Sequence, residues 1–296
     1  MKPSITRLFA AIRTGAATAA LAATIFASHA ADDPTASEGE KTKFLPWEKG
    51  SLKFGGFVAA FDSTLAFGVN KAAGVTFNAE ELFGLDTSLT VLRAEAMYRP
   101  GSSLRHQLDF TYSAYHRDGH ATLDQDIEID GVTYPVGAKV KSVFNFDIIR
   151  GDYTYAVLQD ERMRIGLGLG VYAVPLEYGL KIQTTGGRSS VSGADTTLPL
   201  PSVAMRAEFQ LVPRLFLNTT LDAMYLEISD FKGSLIDVNV GLEYRPWKHV
   251  GFGVGYNAVS VDVEAESDKS DYPGANFVGN VGVRFSGLML YGKLTF

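Results

Sequence analysis

The sequence predicts an all-β fold: an antiparallel up-and-down transmembrane β-barrel of ten strands, with eight or twelve as alternatives. Three observations lead there. Apolar and polar residues alternate over long stretches from Ser51 onward, the period-2 signature of strands whose faces meet different surroundings. The links between those stretches are short and long in turn. The chain stops at Phe296, with Leu294, Leu290 and Leu288 on the same face.

The N-terminus sets the cellular context. Lys2, Arg7 and Arg13 form a basic start, Ala16 to Phe26 a short apolar core, and Ser28, His29 and Ala30 a small-residue cleavage site. This reads as a secretory signal over residues 1–30, cleaved after Ala30. The apolar run falls well short of the roughly 20 residues a spanning helix needs. There is no cysteine, which excludes disulfides and lipoprotein attachment. Removing three basic residues leaves 24 basic against 33 acidic side chains, a net −9. No basic block is left to neutralise phosphates, so nucleic acid is not an expected partner. Residues 31–50 are polar and read as a periplasmic leader, and 51–296 as the barrel. Past residue 30 the most apolar stretch, Ile165 to Leu176, is about twelve residues long and broken by glycines. A membrane crossing must therefore be a closed barrel.

The alternation is clearest over 88–99. Thr90, Leu92, Ala94, Ala96 and Tyr98 share one face, and Val91, Arg93, Glu95, Met97 and Arg99 the other. Ten such segments follow: 51–68, 86–99, 103–117, 141–158, 162–182, 199–212, 214–228, 234–246, 249–265 and 276–296. The short links lie near 99–102, 159–162, 212–214 and 245–248. The longer ones lie near 69–85, 118–140, 183–198, 229–233 and 266–275. Short periplasmic turns and longer outer loops are expected of such a barrel, and an even count puts both termini on the periplasmic side. Parity slips within 141–158 and near Pro175 predict bulges. A turn hidden at Ser286 and Gly287 would raise the count. Asp130 and Gly131, between alternating apolar residues of 126–137, predict a hairpin outside the membrane.

The polar face carries both signs: Arg93, Glu95, Arg105, Asp109, Arg150, Asp152, Arg164, Arg206, Glu208, Asp222, Asp237, Glu243, Arg245 and Lys293. Facing a narrow lumen, these side chains pair across it, as structural groups or as the lining of a pore. Tyr98, Tyr153, Tyr155, Phe209, Tyr244, Trp247 and Phe296 gather beside the short turns, as amphipathic rings do at a membrane interface. A soluble barrel with its apolar face turned inward is the competing arrangement.

The ending at Phe296 resembles the terminal-strand signal by which outer-membrane proteins are recognised for assembly, with Gly292 the one departure from it. The mature chain resembles small bacterial outer-membrane β-barrel proteins. The stretches FLPWEKGSLKFGGFVAAFDS (44–63) and LRAEAMYRP to YPVGAKVKSVFNFDI (within 92–148) look like a largely uncharacterised family of them. The resemblance implies a Gram-negative outer membrane as location. It implies lipid and lipopolysaccharide as surroundings, and the barrel-assembly machinery and periplasmic chaperones as partners during biogenesis. It carries no catalytic residues.

Little in the sequence suggests chemistry. His116, Asp118 and His120 share a strand face near the third long segment's outer end and make a candidate rim site for metal or acid–base work. Asp118 and Gly119 also form a common turn pair. The acidic stretch from Glu264 to Asp271 lacks the glycine and acid spacing of a calcium loop. No catalytic, metal or cofactor residues are assigned, and no cofactor is expected. A ten-stranded barrel is narrow, since about eight strands already fill with side chains. The expected function is therefore non-enzymatic: a charged, largely occluded lumen with functional outer loops or a role in envelope integrity. A narrow or gated channel for a small solute comes second and a rim-located hydrolase third.

Overall fold

The computed structural model describes residues 47–67, 75–124, 126–129, 132–183, 189–229, 231–265 and 279–296. The signal segment, all but the last residues of the leader, and the acidic stretch beyond Ala265 lie outside them. The elements are β1 Gly50–Phe67, β2 Val75–Asn78, α1 Ala79–Phe83, β3 Ser88–Tyr98, β4 His106–Thr122, β5 Ile127–Ile129, β6 Val132–Tyr134, β7 Lys139–Gln159, β8 Met163–Gln183, β9 Ser189–Val212, β10 Leu215–Ile228, β11 Phe231–Tyr244, β12 Val250–Ala265 and β13 Gly279–Thr295.

Ten long strands, β1, β3, β4 and β7 to β13, pair antiparallel in chain order, and β13 pairs back with β1 from Ser51↔Thr295 to Phe67↔Gly279. The sheet closes and no long edge is left in the bilayer. β2 adds to the outer end of β1, and β5 with β6 forms a separate hairpin at the predicted place. β13 runs without a break through Ser286 and Gly287, which removes the hidden turn and fixes the count at ten.

The outward face is apolar. Leu92, Leu169, Leu288, Leu290 and Val203 all stand exposed on the barrel wall. In water such a surface would be costly; in lipid it is the required one. At the short-turn end Tyr98, Tyr153, Tyr155, Tyr244, Trp247 and Phe296 are exposed together. His106 joins them, bonded to the Tyr153 hydroxyl at 2.7 Å.

Of three local expectations, the bulge within 141–158 is met, late in the segment, and the other two change. The ladder shifts between Ala156 and Leu158, whereas β7 keeps one parity from Val140 to Ala156. Opposite Pro175 the β7–β8 pairing is only interrupted, in register on both sides, as expected where a residue has no N–H to give. The expected loop over 183–198 is largely strand, since β9 starts at Ser189. The stretch from Ser189 to Thr197 has no regular apolar–polar alternation in its sequence, yet the backbone ladder with β8 continues through it.

Glycines in the wall test this packing. An added Cβ at Gly168 would overlap the Tyr153 carbonyl and the Thr154 Cα, whereas one at Gly151 would meet nothing within 4 Å. Gly168→Ala should therefore lower barrel stability by about 1–3 kcal/mol, the usual cost of overpacking, and Gly151→Ala should be near neutral. Urea unfolding of the two variants in lipid vesicles, followed by tryptophan fluorescence, measures the difference.

Candidate functional site

Because the wall alternates, every second side chain points into the lumen, and the interior is built in layers. At the periplasmic mouth the segment before β1 turns inward. Trp47 is buried, and its indole donates to the Asp160 carbonyl at 2.8 Å in the β7–β8 turn. Glu48 meets Lys293 Nζ at 2.6 Å and Arg245 Nη1 at 2.8 Å. Arg99 donates to the Glu48 backbone carbonyl at 3.1 Å and pairs with Glu208. Glu243 bridges Arg245 at 2.6 Å and Lys293 at 3.1 Å.

The next layer crosses the lumen. Arg150 of β7 reaches Asp222 of β10 at 2.9 Å and Asp237 of β11 at 3.5 Å. Arg206 of β9 holds Asp152 at 2.6 Å and Asp222 at 3.0 Å. Asp237 also accepts from Tyr172 at 3.1 Å and from Asn257 at 2.8 Å. Glu95 joins Lys53 at 2.8 Å and Arg93 at 2.7 Å.

In this half, among the described residues, the ion pairs join eight cations (Lys53, Arg93, Arg99, Arg150, Arg164, Arg206, Arg245, Lys293) to eight carboxylates (Glu48, Glu95, Asp109, Asp152, Glu208, Asp222, Asp237, Glu243). The set is neutral only with Glu48 counted. A polar cavity of about 70 Å³ remains, lined by Glu48, Lys53, Glu95, Arg99, Asp109 and Lys293 among others. That is room for a few waters.

Above the charges the lumen turns apolar. Tyr115 and Phe146 stack at 4.6 Å, and Phe285 lies 4.9 Å from Tyr115 and 5.4 Å from Phe61. Phe57, Leu200, Phe231, Leu235 and Met289 complete this buried layer. Rings at such distances gain from edge and offset contacts beyond their burial.

At the outer mouth α1 lies inward. Asn78 caps it, accepting from Glu81 N at 2.9 Å, and Gly84 ends it at φ 61°. Glu80 accepts from Ser63 N at 2.9 Å and pairs with Arg117 at 2.6 Å. Arg117 is fully buried, also donates to the Asp86 carbonyl at 2.7 Å, and lies 4.3 Å over the Phe61 ring. Burial raises the Glu80 carboxyl, but the bonds from Ser63 and Arg117 outweigh it and leave it below the usual value. Leu85, Leu123, Tyr134, Val140 and Ile182 pack around this mouth as a second apolar cluster.

Thirteen of the fourteen charged positions named from the sequence enter the lumen network through the ion pairs above. Arg105 does not. It sits in the β3–β4 turn and donates to the Ala156 carbonyl at 2.9 Å, because the preceding Leu104 takes a positive φ of 54° and breaks the strand before parity can carry Arg105 inward. His116, Asp118 and His120 do share a face of β4, but it is the outer wall. His116 is 69% exposed and only approaches Asp147 at 3.7 Å, while Arg117 and Gly119 between them point inward. Among the described residues no group of three metal-ligating side chains gathers.

Lys53, Arg99 and Asn257 were missed as members of the network, though Lys53 and Arg99 lie on the inward parity. Glu48 carried no signal, since it precedes any periodic stretch. The apolar outer half of the lumen was not foreseen beside the charged lumen expected. There both faces of a strand are apolar, as with Phe57 inside and Val58 outside on β1, and alternation cannot report it.

No protein-family model matches this sequence, and no curated protein sequence matches it significantly. Solved structures do match. The outer membrane protease OmpT from Escherichia coli aligns with a TM-score of 0.50 and 9% identity over 83% of this chain and 97% of its own. The toluene transporter TodX of P. putida gives 0.36 and 7% over 84% and 90%. Ail, the attachment invasion locus protein of Yersinia pestis, gives 0.30 and 9% over 82% and 99%. At these identities the likeness is one of fold, and it rests on the first. By that fold, with its apolar band and aromatic girdle, the chain is a bacterial outer-membrane β-barrel.

Glu48 gives the site a pH signature. Burial works to raise its carboxyl, but Lys293, Arg245 and Arg99 lower it more, and it falls well below the ordinary range. A depressed folded value means stability that is full above the unfolded carboxylate range, near 4.3, and lost as pH falls through the folded value. Glu48→Gln should cost about 3–5 kcal/mol at neutral pH, because it leaves Lys293 and Arg245 short of a buried partner. The gap from wild type should shrink below about pH 4, as read in unfolding titrations across pH.

Proposed function

We propose that this chain is a non-conducting, non-enzymatic outer-membrane barrel that acts through its outer surface and loops, or by bracing the envelope. One observation carries the reading. Side chains meet across the lumen at four successive levels: the Glu48 cluster, the Arg150 and Arg206 layer, the aromatic layer and the Glu80–Arg117 lid. A solute path would have to part buried ion pairs and then a dry layer of rings, and removing one partner of a buried pair costs roughly 3–5 kcal/mol.

Against catalysis stands the placement of titratable groups. His106, His116, His120 and His249, the described histidines, lie on the outer wall or in turns. The lumen carboxylates are held by arginine or lysine, which suits structure better than general-base work.

A narrow or gated channel has one feature in its favour. The outer mouth is covered by a helix of only five residues, whose side-chain ties are few. Planar-bilayer recording of the refolded protein separates the two. The expected trace is silent for the wild type and for Glu80→Gln. A steady wild-type conductance that Arg206→Ala changes would sink the closed-lumen reading.

A further inference from the structure

The outer wall carries a feature that neither the membrane band nor the lumen explains. Lys141 of β7 and Lys181 of β8 are direct cross-strand partners, and both are exposed on the outward face. Lys139 lies two residues further along β7, and His120 of β4 is the partner of Lys141 on the other side. Like charges opposed in a sheet destabilise it. Among the described residues, none of these lysines has a carboxylate within ion-pair distance. The acids lower on this wall are already engaged: Asp147 accepts from Tyr112 at 3.1 Å and Glu177 from Asn145 at 3.2 Å. Asp118, diagonal to Lys141, stands exposed beside them without a bonded partner.

We propose that this patch binds phosphate groups on the sugars of an outer-leaflet glycolipid, with Lys141 and Lys181 as its centre. Height selects the sugars. Ile149, paired with Tyr112, marks the last apolar row. Lys141 is eight residues beyond Ile149 on the same strand. At about 3.3 Å per residue and a tilt near 40° that is roughly 20 Å above the hydrocarbon edge. This lies past the headgroup zone, which extends only about 5–8 Å on each side. The lysines point sideways into whatever layer surrounds the barrel there, and a phosphate between them would turn a repulsive pair into two charge-assisted bonds. The proposal needs only the barrel's orientation in the membrane and does not depend on a closed lumen.

The test is the heat-unfolding midpoint, read by gel mobility, of the full-length mature chain in phosphatidylcholine vesicles. It is taken alone, with lipopolysaccharide bearing phosphorylated core sugars, with the same lipopolysaccharide stripped of core phosphate, and with inorganic phosphate. The phosphorylated glycolipid should raise the midpoint and the stripped form should not. The double variant Lys141→Gln, Lys181→Gln should need about tenfold more glycolipid for the same rise, the loss of about one charge-assisted bond. In plain phosphatidylcholine it should be at least as stable as wild type, since a repulsion is gone. Asp118→Asn should tighten binding. Should the double variant fail to refold, Lys181→Gln alone carries the comparison. An equal rise in the variant, or with the stripped glycolipid, overturns the proposal. An equal rise with inorganic phosphate overturns the glycolipid as the source and leaves a free-anion site.

Discussion

Everything in this molecule follows from the need to pair each backbone N–H and C=O in a medium without water. An open sheet would leave two edges in lipid, at several kcal/mol for each unpaired group. The pairing of β1 with β13, continuous from Ser51 to Phe67, removes both edges. Closure at ten strands also fixes the width of the lumen and locks every side chain to one side of the wall. Arg150 can then reach Asp222 and Asp237 from three and four strands away. The pairs that fill the lumen are set by strand order as much as by residue type.

A narrow interior lined with charges is tolerable only if the charges cancel. Burying one unpaired ion costs several kcal/mol even after relaxation. Here six of the eight cations are arginines, whose planar fork can hold two carboxylates at once, as Arg150 and Arg206 do with Asp152 and Asp222. The barrel strands and turns supply seven carboxylates, and the eighth comes from Glu48, ahead of the first strand. Its site draws on Arg99, Arg245 and Lys293 from β3's end, the β11–β12 turn and the last strand. That site exists only once the first and last strands have met. The segment before β1 is thus tied to the completed barrel and not to any part of it.

Where the two faces of a strand meet contrasting media, the sequence was legible. Leu92 against Arg93 and Leu290 against Tyr291 fix both the count and the phase, because lipid and a polar lumen demand opposite residue types at adjacent positions. Legibility fails where that contrast disappears. In the outer half of β1 both sides are apolar, lipid outside and rings within. In the outer part of β9, from Ser189, both sides are largely polar, and the strand reads as a loop. Arg105 failed for a different reason: parity assumes an unbroken strand, and the turn at Leu104 breaks it. For His116, Asp118 and His120 the shared face was readable, and its direction follows only once β4 runs unbroken from Asp109, which meets Arg206 in the lumen, to Arg117, which meets Glu80. The residues alternating with these two, His116, Asp118 and His120 among them, then turn outward.

The wall is also uneven in height. Crossing a bilayer takes about 9–11 residues of tilted strand, yet β9 has 24 and β7 and β8 have 21 each. Directly beside β9, β10 and β11 have 14 each and turn back at Ser229. From Ser189 to Ser202, β9 therefore pairs with β8 but not with β10. Such an edge invites pairing with foreign strands. Pro199 and Pro201 stand just above the last contact with β10, at Val203, where a residue without an N–H weakens that invitation. The membrane does not require this tall side, since these strands run well past the span a bilayer needs. Above the Glu80–Arg117 pair the inward face of β7 and β8 still packs Val140 and Ile182 against Leu85 and Tyr134, so only the outward face, where Lys141 and Lys181 stand, is free to answer to whatever surrounds the barrel outside the lipid.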